Sequence, residues 1–188
     1  MNVYDFDNTI YNGESALHFF LFCLKKRPLL ARYIPSALRG IVDYKRHGVS
    51  IDQVARRYTK VMKACLSGIG DYRDTARAFW DKHERRINGF YKPLQRPDDL
   101  VISAGPEQSL REICARLGVR HYIGTVVNET TGEMEFVCFK ENKVKAFRER
   151  YPGCEIDNFY TDSINDKPLM DIANHVFMVK KGIVTQIK

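Results

Sequence analysis

The sequence predicts an α/β fold: a Rossmann-like parallel sheet with helices on both faces, interrupted after its first strand by an all-helical insertion. Three observations predict it. Met1-Asn2-Val3-Tyr4 is a short apolar run suited to a buried strand, and it leads into Asp5-Phe6-Asp7. From residue 14 to about 91 the periodicity is helical and no strand candidate occurs. Beyond Pro93 and Pro97 short apolar runs alternate with amphipathic stretches, which implies parallel strands joined by right-handed crossovers. The expected division is a core of residues 1–13 and 97–188 with a helical cap, residues 14–96, inserted into it.

In the insertion, Leu17, Phe20, Leu21 and Leu24 recur at i, i+3, i+4 and i+7, the expected inward face of a first helix. Pro28 and Pro35 punctuate the stretch after that helix. Val54, Tyr58, Val61, Met62 and Cys65 repeat the pattern behind a Ser50 N-cap, and Gly68 and Gly70 close it. Asp71 opens a further helix through Phe79 and Trp80. In the core, Leu100-Val101-Ile102 forms the second strand. Pro106 takes a first helical position, with Leu110, Ile113, Cys114 and Leu117 inward and Gly118 as the stop. His121–Val127 is a strand, and Gly132 turns it into a hairpin with residues 134–139. A helix from about residue 142 to 151 ends at Pro152-Gly153. The strand Ile156–Thr161 comes next, then a helix begun by Pro168, and strands 176–179 and 183–187 flank Lys181-Gly182.

Composition bounds the function classes. A chain of 188 residues and 21.8 kDa, 44% hydrophobic and 28% charged, can bury one good core with one insertion. The longest strongly apolar stretch, residues 16–24, contains His18 and is too short to cross a bilayer. No basic region or cleavage site precedes the acidic motif, so a cytoplasmic protein without a secretion signal is expected. Cys23, Cys65, Cys114, Cys138 and Cys154 are scattered and form no Cys-x-x-Cys pair, which points to reduced thiols rather than zinc. Charge is uneven: residues 13–97 hold 18 Lys/Arg and 7 Asp/Glu, a balance of +11, against −4 for the rest. A basic part beside an acidic one suits metal binding on one side and anion attraction on the other; a merely solvated basic helical surface would look the same.

In extended backbone, side chains at i and i+2 point the same way. Asp5 and Asp7 would therefore project together at the carboxyl end of the first strand, where open α/β sheets bind ligands. Two anions so close repel unless a metal or a cation lies between them. Ser103 ends the second strand ahead of a helix N-terminus, whose free N–H groups favour an anion; a plain turn is the alternative. Lys143 stands at a helix start, where a cation opposes the helix dipole. A phosphoryl group facing that end would call for it; Lys145 lies on another side of the helix, and on propensity alone either lysine could be a plain solvated charge. Asp162 and Asp166 lie between a strand end and the Pro168 helix and can serve a metal directly and through an outer shell. Asp166 could equally be a helix N-cap.

In this order the motifs resemble the haloacid dehalogenase superfamily, in the helical-cap branch that includes phosphoserine phosphatase, along the whole chain. Asp5-Phe6-Asp7-Asn8-Thr9-Ile10 is similar to its first motif, and residues 161–170 to the Asp-Ser-x-x-Asp-x-Pro-Leu ending of that branch's less characterised phosphatases. Gly13-Glu14-Ser15 resembles the opening of their cap. The resemblance implies a Mg²⁺-dependent phosphatase acting on a small-molecule phosphate monoester. Asp5 would be the nucleophile, forming an aspartyl-phosphate, and Asp7 the acid and base. Mg²⁺ would bind Asp5, the Asp7 carbonyl and Asp162. Ser103, Ala104 and Lys143 would hold the phosphoryl group, with Thr9 beside it supporting the loop. Asp166 and Asn165 would act from an outer shell, Asn165 supporting the loop by hydrogen bonding as Thr9 does, and Glu14 would bind a substrate amino group or simply occupy a first helical turn.

Asn8 stands where Gly or Ser is usual, Ala104-Gly105-Pro106 replaces paired glycines, and the fourth motif lacks Gly-Asp-Gly. These departures bear on phosphoserine as substrate, not on the chemistry. Lys25-Lys26-Arg27, Lys45-Arg46 and Arg85-Arg86, interleaved with aromatics, support a competing class: a basic module for nucleic acid or anionic lipid, or a phosphatase acting on a lipid-borne phosphate. The expected partner is a small phosphorylated substrate and not nucleic acid, with peripheral membrane contact the lesser reading.

Overall fold

The structure is a computed structural model that describes residues 1–35, 59, 63 and 71–188. The expected helix carrying Val54, Tyr58, Val61, Met62 and Cys65, with Ser50, Gly68 and Gly70 at its ends, lies outside the described residues.

Seven strands form one sheet: β1 (Asn2–Tyr4), β2 (Leu100–Pro106), β3 (His121–Val127), β4 (Met134–Phe136), β5 (Ile156–Thr161), β6 (Ala173–Lys180) and β7 (Ile183–Gln186). Their order is β4-β3-β2-β1-β5-β6-β7. The five inner strands are parallel, and β4 and β7 add antiparallel edges. The chain runs outward from β1 through β2 to β3, then returns to β5 on the other side of β1. The topological switch therefore lies at β1, and a ligand cleft is expected at the carboxyl ends of β1, β2 and β5.

The strands are apolar on both sides because both faces are covered. Val3, Leu100, Ile102, Phe159 and Val176 point to a layer with Ala146, Phe147, Leu169 and Met170, from α5 (Glu141–Arg150) and α6 (Lys167–Ile172). Tyr4, Val101 and Tyr160, one residue out of phase, point to the opposite layer. There they meet α4 (Glu107–Leu117) through Leu110, Ile113 and Cys114. α2 (Tyr72–His83) and α3 (Tyr91–Leu94) join that layer through Phe79, Trp80 and Tyr91. Burying each such side chain contributes roughly 1.5–3 kcal/mol. The later part of the insertion thus rests on the sheet, and Arg116 of α4 ties it down with ion pairs to Asp81 at 2.9 Å and Glu84 at 3.1 Å.

Local signals act as expected at most boundaries. Asp71 caps α2 by accepting the Arg73 N–H at 2.7 Å. Gly118, at φ 74°, ends α4 in the left-handed region that favours glycine. Three expectations need correction. Pro106 does not open a helix: β2 runs on to Pro106, which becomes the N-cap of α4. The strand after Gly132 stops at Phe136, not 139, because the chain turns into α5 through Lys140 at φ 49°. α1 (Ser15–Lys26) forms, but its buried residues are Ser15, Phe22 and Cys23. Leu17 and Leu21 stand 53% and 43% exposed. The helix is apolar on two sides, and it is Phe19 and Phe22 that meet Phe79 of α2.

Candidate active site

β1 ends at Tyr4, and the next peptide stays attached to the sheet through Asp5 N–H to Tyr160 O at 2.8 Å. Asp5 is held, 7% exposed, at the carboxyl edge. Its Oδ1 accepts a charge-assisted hydrogen bond from Lys143 Nζ at 2.7 Å. Lys143, the third residue of α5, is 2% exposed, and its Nζ also lies 2.7 Å from Asp166 Oδ1. Thr161 Oγ1 donates to the other oxygen of Asp166 at 2.8 Å. Asp166 is the N-cap residue of α6, yet its side chain makes no cap bond. Its carboxylate is committed to Lys143 and Thr161. Lys145 is 67% exposed and reaches Glu149 at 4.0 Å, so the cation at this edge is Lys143.

After Asp5 the chain turns back. Asn8 sits at φ 56°, a conformation asparagine tolerates better than most residues. Its Nδ2 donates to Glu14 Oε1 at 2.7 Å. Asp7 Oδ1 accepts the Ser15 N–H at 2.7 Å, so the carboxylate caps the positive end of α1. Ser103, 1% exposed, accepts the Gly105 N–H on its Oγ at 3.0 Å and keeps its own hydroxyl proton to donate. A Cβ at Gly105 would lie 3.3 Å from Ser103 Oγ, 3.9 Å from Asp7 Oδ2 and 4.0 Å from Ser15 Oγ. Gly105 thus leaves a small cradle walled by oxygens.

The other expected residues fall into place unevenly. Thr9 is fully buried, with Oγ1 3.5 Å from Asp5 Oδ2, so it touches the carboxylate rather than open space. Ala104 is exposed at the strand end, and its carbonyl accepts from Thr125 Oγ1 at 2.7 Å. Asn165, expected to support the loop by hydrogen bonding, does so through its main-chain N–H to Ser163 Oγ at 3.2 Å, while its side chain is exposed rather than part of an outer shell. The short 3₁₀ turn Ile164–Asp166 points Asp166 inward and leaves Asn165 outside. Ser15, Gly105 and Thr161 stand inside motifs the sequence marked but were given no part of their own, because those parts depend on a helix end, an absent side chain and the shape of a local turn.

Burial dominates the electrostatics. It pushes the Asp5 carboxyl up against the opposing charge of Lys143. It lifts Asp7 to about 6, with the Ser15 hydrogen bonds resisting and Glu14 adding to the rise. It lifts Asp162 to about 6, helped by Glu14 and Asp166. Burial alone would lower Lys143, but Asp5 and Asp166 outweigh it and hold the ammonium above its usual range. Lys143 is the cation that opposes Asp5, Asp7 and Asp162 alike. The carboxylates outnumber it, and a divalent cation would relieve that excess. Among the described residues no three His, Cys, Asp or Glu side chains form a metal-holding group by themselves. A bound ion would take a main-chain carbonyl and water as well. Oxygen-only donors of this kind fit Mg²⁺, which keeps several waters, and not zinc.

The protein resembles solved structures in fold. A protein of unknown function from Bordetella pertussis superposes with a TM-score of 0.73, at 21% identity, covering 91% of this chain and 85% of that one. A phosphoserine phosphohydrolase-like protein from Francisella tularensis gives 0.58 at 17% identity, covering 94% and 86%. A Mycobacterium tuberculosis protein named "Probable phosphatase Rv3661" is 34% identical over 91 residues, 44% of this chain and 31% of that one. The chain thus spans about a third of that relative's length. The family model for haloacid dehalogenase-like hydrolases matches residues 3–171, from β1 through Asp5, Ser103, Lys143 and Asp162 to α6, and the chain belongs to that family.

Proposed function

We propose that the protein is a Mg²⁺-dependent phosphatase that hydrolyses a small-molecule phosphate monoester through Asp5. The observation that carries this is the Lys143 ammonium held 2.7 Å from both Asp5 and Asp166. With Oδ1 tied to Lys143, Asp5 keeps Oδ2 to attack phosphorus in line, forming an aspartyl-phosphate as the alkoxide leaves. Asp7, fixed by Ser15, gives that alkoxide its proton and then takes one from the water that cleaves the acyl phosphate. The Ser103 hydroxyl and Lys143 hold phosphoryl oxygens and offset the charge that develops on them. The carboxylates of Asp5 and Asp162 and the Asp7 carbonyl would hold Mg²⁺, which screens the charge between enzyme and phosphate.

The helical insertion, residues 14–96, is proposed as the cap that chooses the leaving group, anchored to the sheet by α2 and α3. Glu14, fixed by Asn8, is its acidic contact beside the mouth.

Turnover of an aryl phosphate with and without Mg²⁺ tests the reading. Asp5→Asn should remove Mg²⁺-dependent turnover while leaving the far-ultraviolet spectrum unchanged, because a neutral amide is a poor nucleophile and a weaker ligand. Near-wild-type turnover in this variant would sink the covalent route. A screen of phosphorylated metabolites then identifies the substrate.

A further inference from the structure

We propose that the outward side of α1 and the 3₁₀ turn after it, Pro28–Tyr33, form a docking surface for an anionic lipid bilayer. α1 is apolar on two sides. Phe19 and Phe22 pack against Phe79, and Phe22 also meets His83. The other side carries Leu17 and Leu21, one helical turn apart and 53% and 43% exposed, and Leu29 comes next at 80%. Among the described residues these are three of the large apolar side chains left in water, and they cluster between residues 17 and 29. A helix with a second apolar side wants a second apolar neighbour.

Charge identifies that neighbour. Lys25, Lys26, Arg27 and Arg32 are all exposed on the same segment, and residues 15–35 contain no Asp or Glu. Lys26 Nζ lies 4.9 Å from the Phe22 ring centroid, and the Arg32 guanidinium 4.9 Å from that of Tyr33. Both cations thus sit over aromatic faces while remaining exposed to water. Exposed leucines beside cations, with no acid to repel phosphate, match the acyl–headgroup boundary of an anionic membrane. A second copy of this chain would bring these cations against its own. No helix among the described residues is long and apolar enough to cross a membrane, so contact would be peripheral. Ser15 N–H, at the amino end of the same helix, binds Asp7, so docking would set the mouth of the candidate site at the membrane boundary. The docking does not depend on the phosphatase reading.

Co-sedimentation of the full chain with phosphatidylcholine vesicles, with and without phosphatidylglycerol, tests the proposal. Binding is expected to the anionic vesicles only and to weaken as salt rises. Leu17→Ser with Leu21→Ser, and separately Lys25→Gln with Lys26→Gln, should each reduce it about tenfold or more. Circular dichroism checks that each variant folds, and the lysine pair alters only exposed groups, so it remains informative if the leucine pair does not fold. The proposal is overturned if wild type ignores anionic vesicles, if binding is unchanged in the folded variants, or if neutral vesicles bind equally. It is also overturned if the chain is a dimer in solution that the leucine pair converts to monomer, or if duplex RNA binds through these lysines while vesicles do not.

Discussion

Lys143 shows how much one side chain can organise. Its ammonium, 2% exposed, offsets both Asp5 and Asp166, so removing it strands two buried carboxylates. Breaking a buried pair costs about 3–5 kcal/mol, and Lys143→Ala should lose at least that order of stability along with nearly all turnover. Lys145→Ala removes a 67% exposed cation and should stay within about 0.5 kcal/mol with normal turnover. Denaturant melts and kinetics of both variants decide; the reverse ranking would move the motif. Val144 and Phe147 set the inward face of α5 and put the two lysines on different sides of it, but periodicity alone leaves either as a solvated charge; burial of Lys143 between Asp5 and Asp166 separates them. Asp5, Asp7, Ser103, Asp162 and Asp166 are legible because the sequence places each near a strand end or a helix start, although β2 in fact runs on past Ser103 to Pro106. Ser15 and Thr161 stand out only as parts of motifs, since each meets its partner, Asp7 or Asp166, across a local turn whose geometry periodicity does not report. Asp99 offers a residue outside the site. It is 1% exposed, its Oδ2 accepts the Arg96 N–H at 2.7 Å, and its Oδ1 has no partner among the described residues. Burial raises its pKa. The folded state therefore binds this proton more readily than the unfolded chain. The stability linked to it is present below the unfolded value of about 3.9 and is lost as pH rises through the higher folded value. Asp99→Asn should flatten that decline and gain about 1 kcal/mol at neutral pH. A pH series of urea melts checks it; an Asn variant that is less stable at neutral pH would show the carboxylate to be favourably solvated.

Among the elements, existence was easier to read than orientation. The α1 periodicity marks a helix, yet Leu17-Phe20-Leu21-Leu24 and Phe19-Phe22-Cys23 are two overlapping apolar stripes, and spacing alone cannot say which one meets α2. Aromatic packing decides it, through the contact of Phe19 and Phe22 with Phe79. The join of β2, α4 and β3 depends on an absence of side chain that periodicity does not report. A Cβ on Gly124 of β3 would lie 2.8 Å from Glu107 Cα, 2.9 Å from Glu107 N and 2.9 Å from Gly105 O. None of these is a flexible side chain, so the end of β2 that carries Ser103 and Gly105 would have to shift. Gly124→Ala should cost about 1–3 kcal/mol and lower kcat. Gly89→Ala, with nothing within 4 Å of the added carbon, should be nearly silent in both. Urea midpoints and turnover measured in parallel test the pair; equal effects at the two sites would mean that this close approach is not what places the end of β2.

At the scale of the whole molecule, strand–helix alternation implied a parallel sheet, but nothing in it states that β1 lies between β2 and β5. That order brings Asp5, Ser103, Lys143 and Asp162, far apart along the chain, to one edge. Binding there should therefore report on global stability, because an ion held by groups from β1 and from the loop after β5 binds the folded chain and not the unfolded one. Burial, and repulsion from neighbouring carboxylates such as Glu14 and Asp166, already work against ionised Asp5, Asp7 and Asp162. A cation that relieves this strain should stabilise the fold by about 2.7 kcal/mol at a hundred times its dissociation constant. For a chain of this size that raises Tm by roughly 5–10 °C. Mg²⁺ should accordingly raise the melting temperature in a saturable manner, and a chelator should return it to baseline. Asp162→Ala should melt at the same temperature with or without the ion. Lys145→Ala should keep the full shift. The readout needs no substrate, so it separates metal binding from turnover. A Mg²⁺ shift that survives Asp162→Ala would place the ion elsewhere and leave the carboxylates at this edge to be balanced by Lys143 alone.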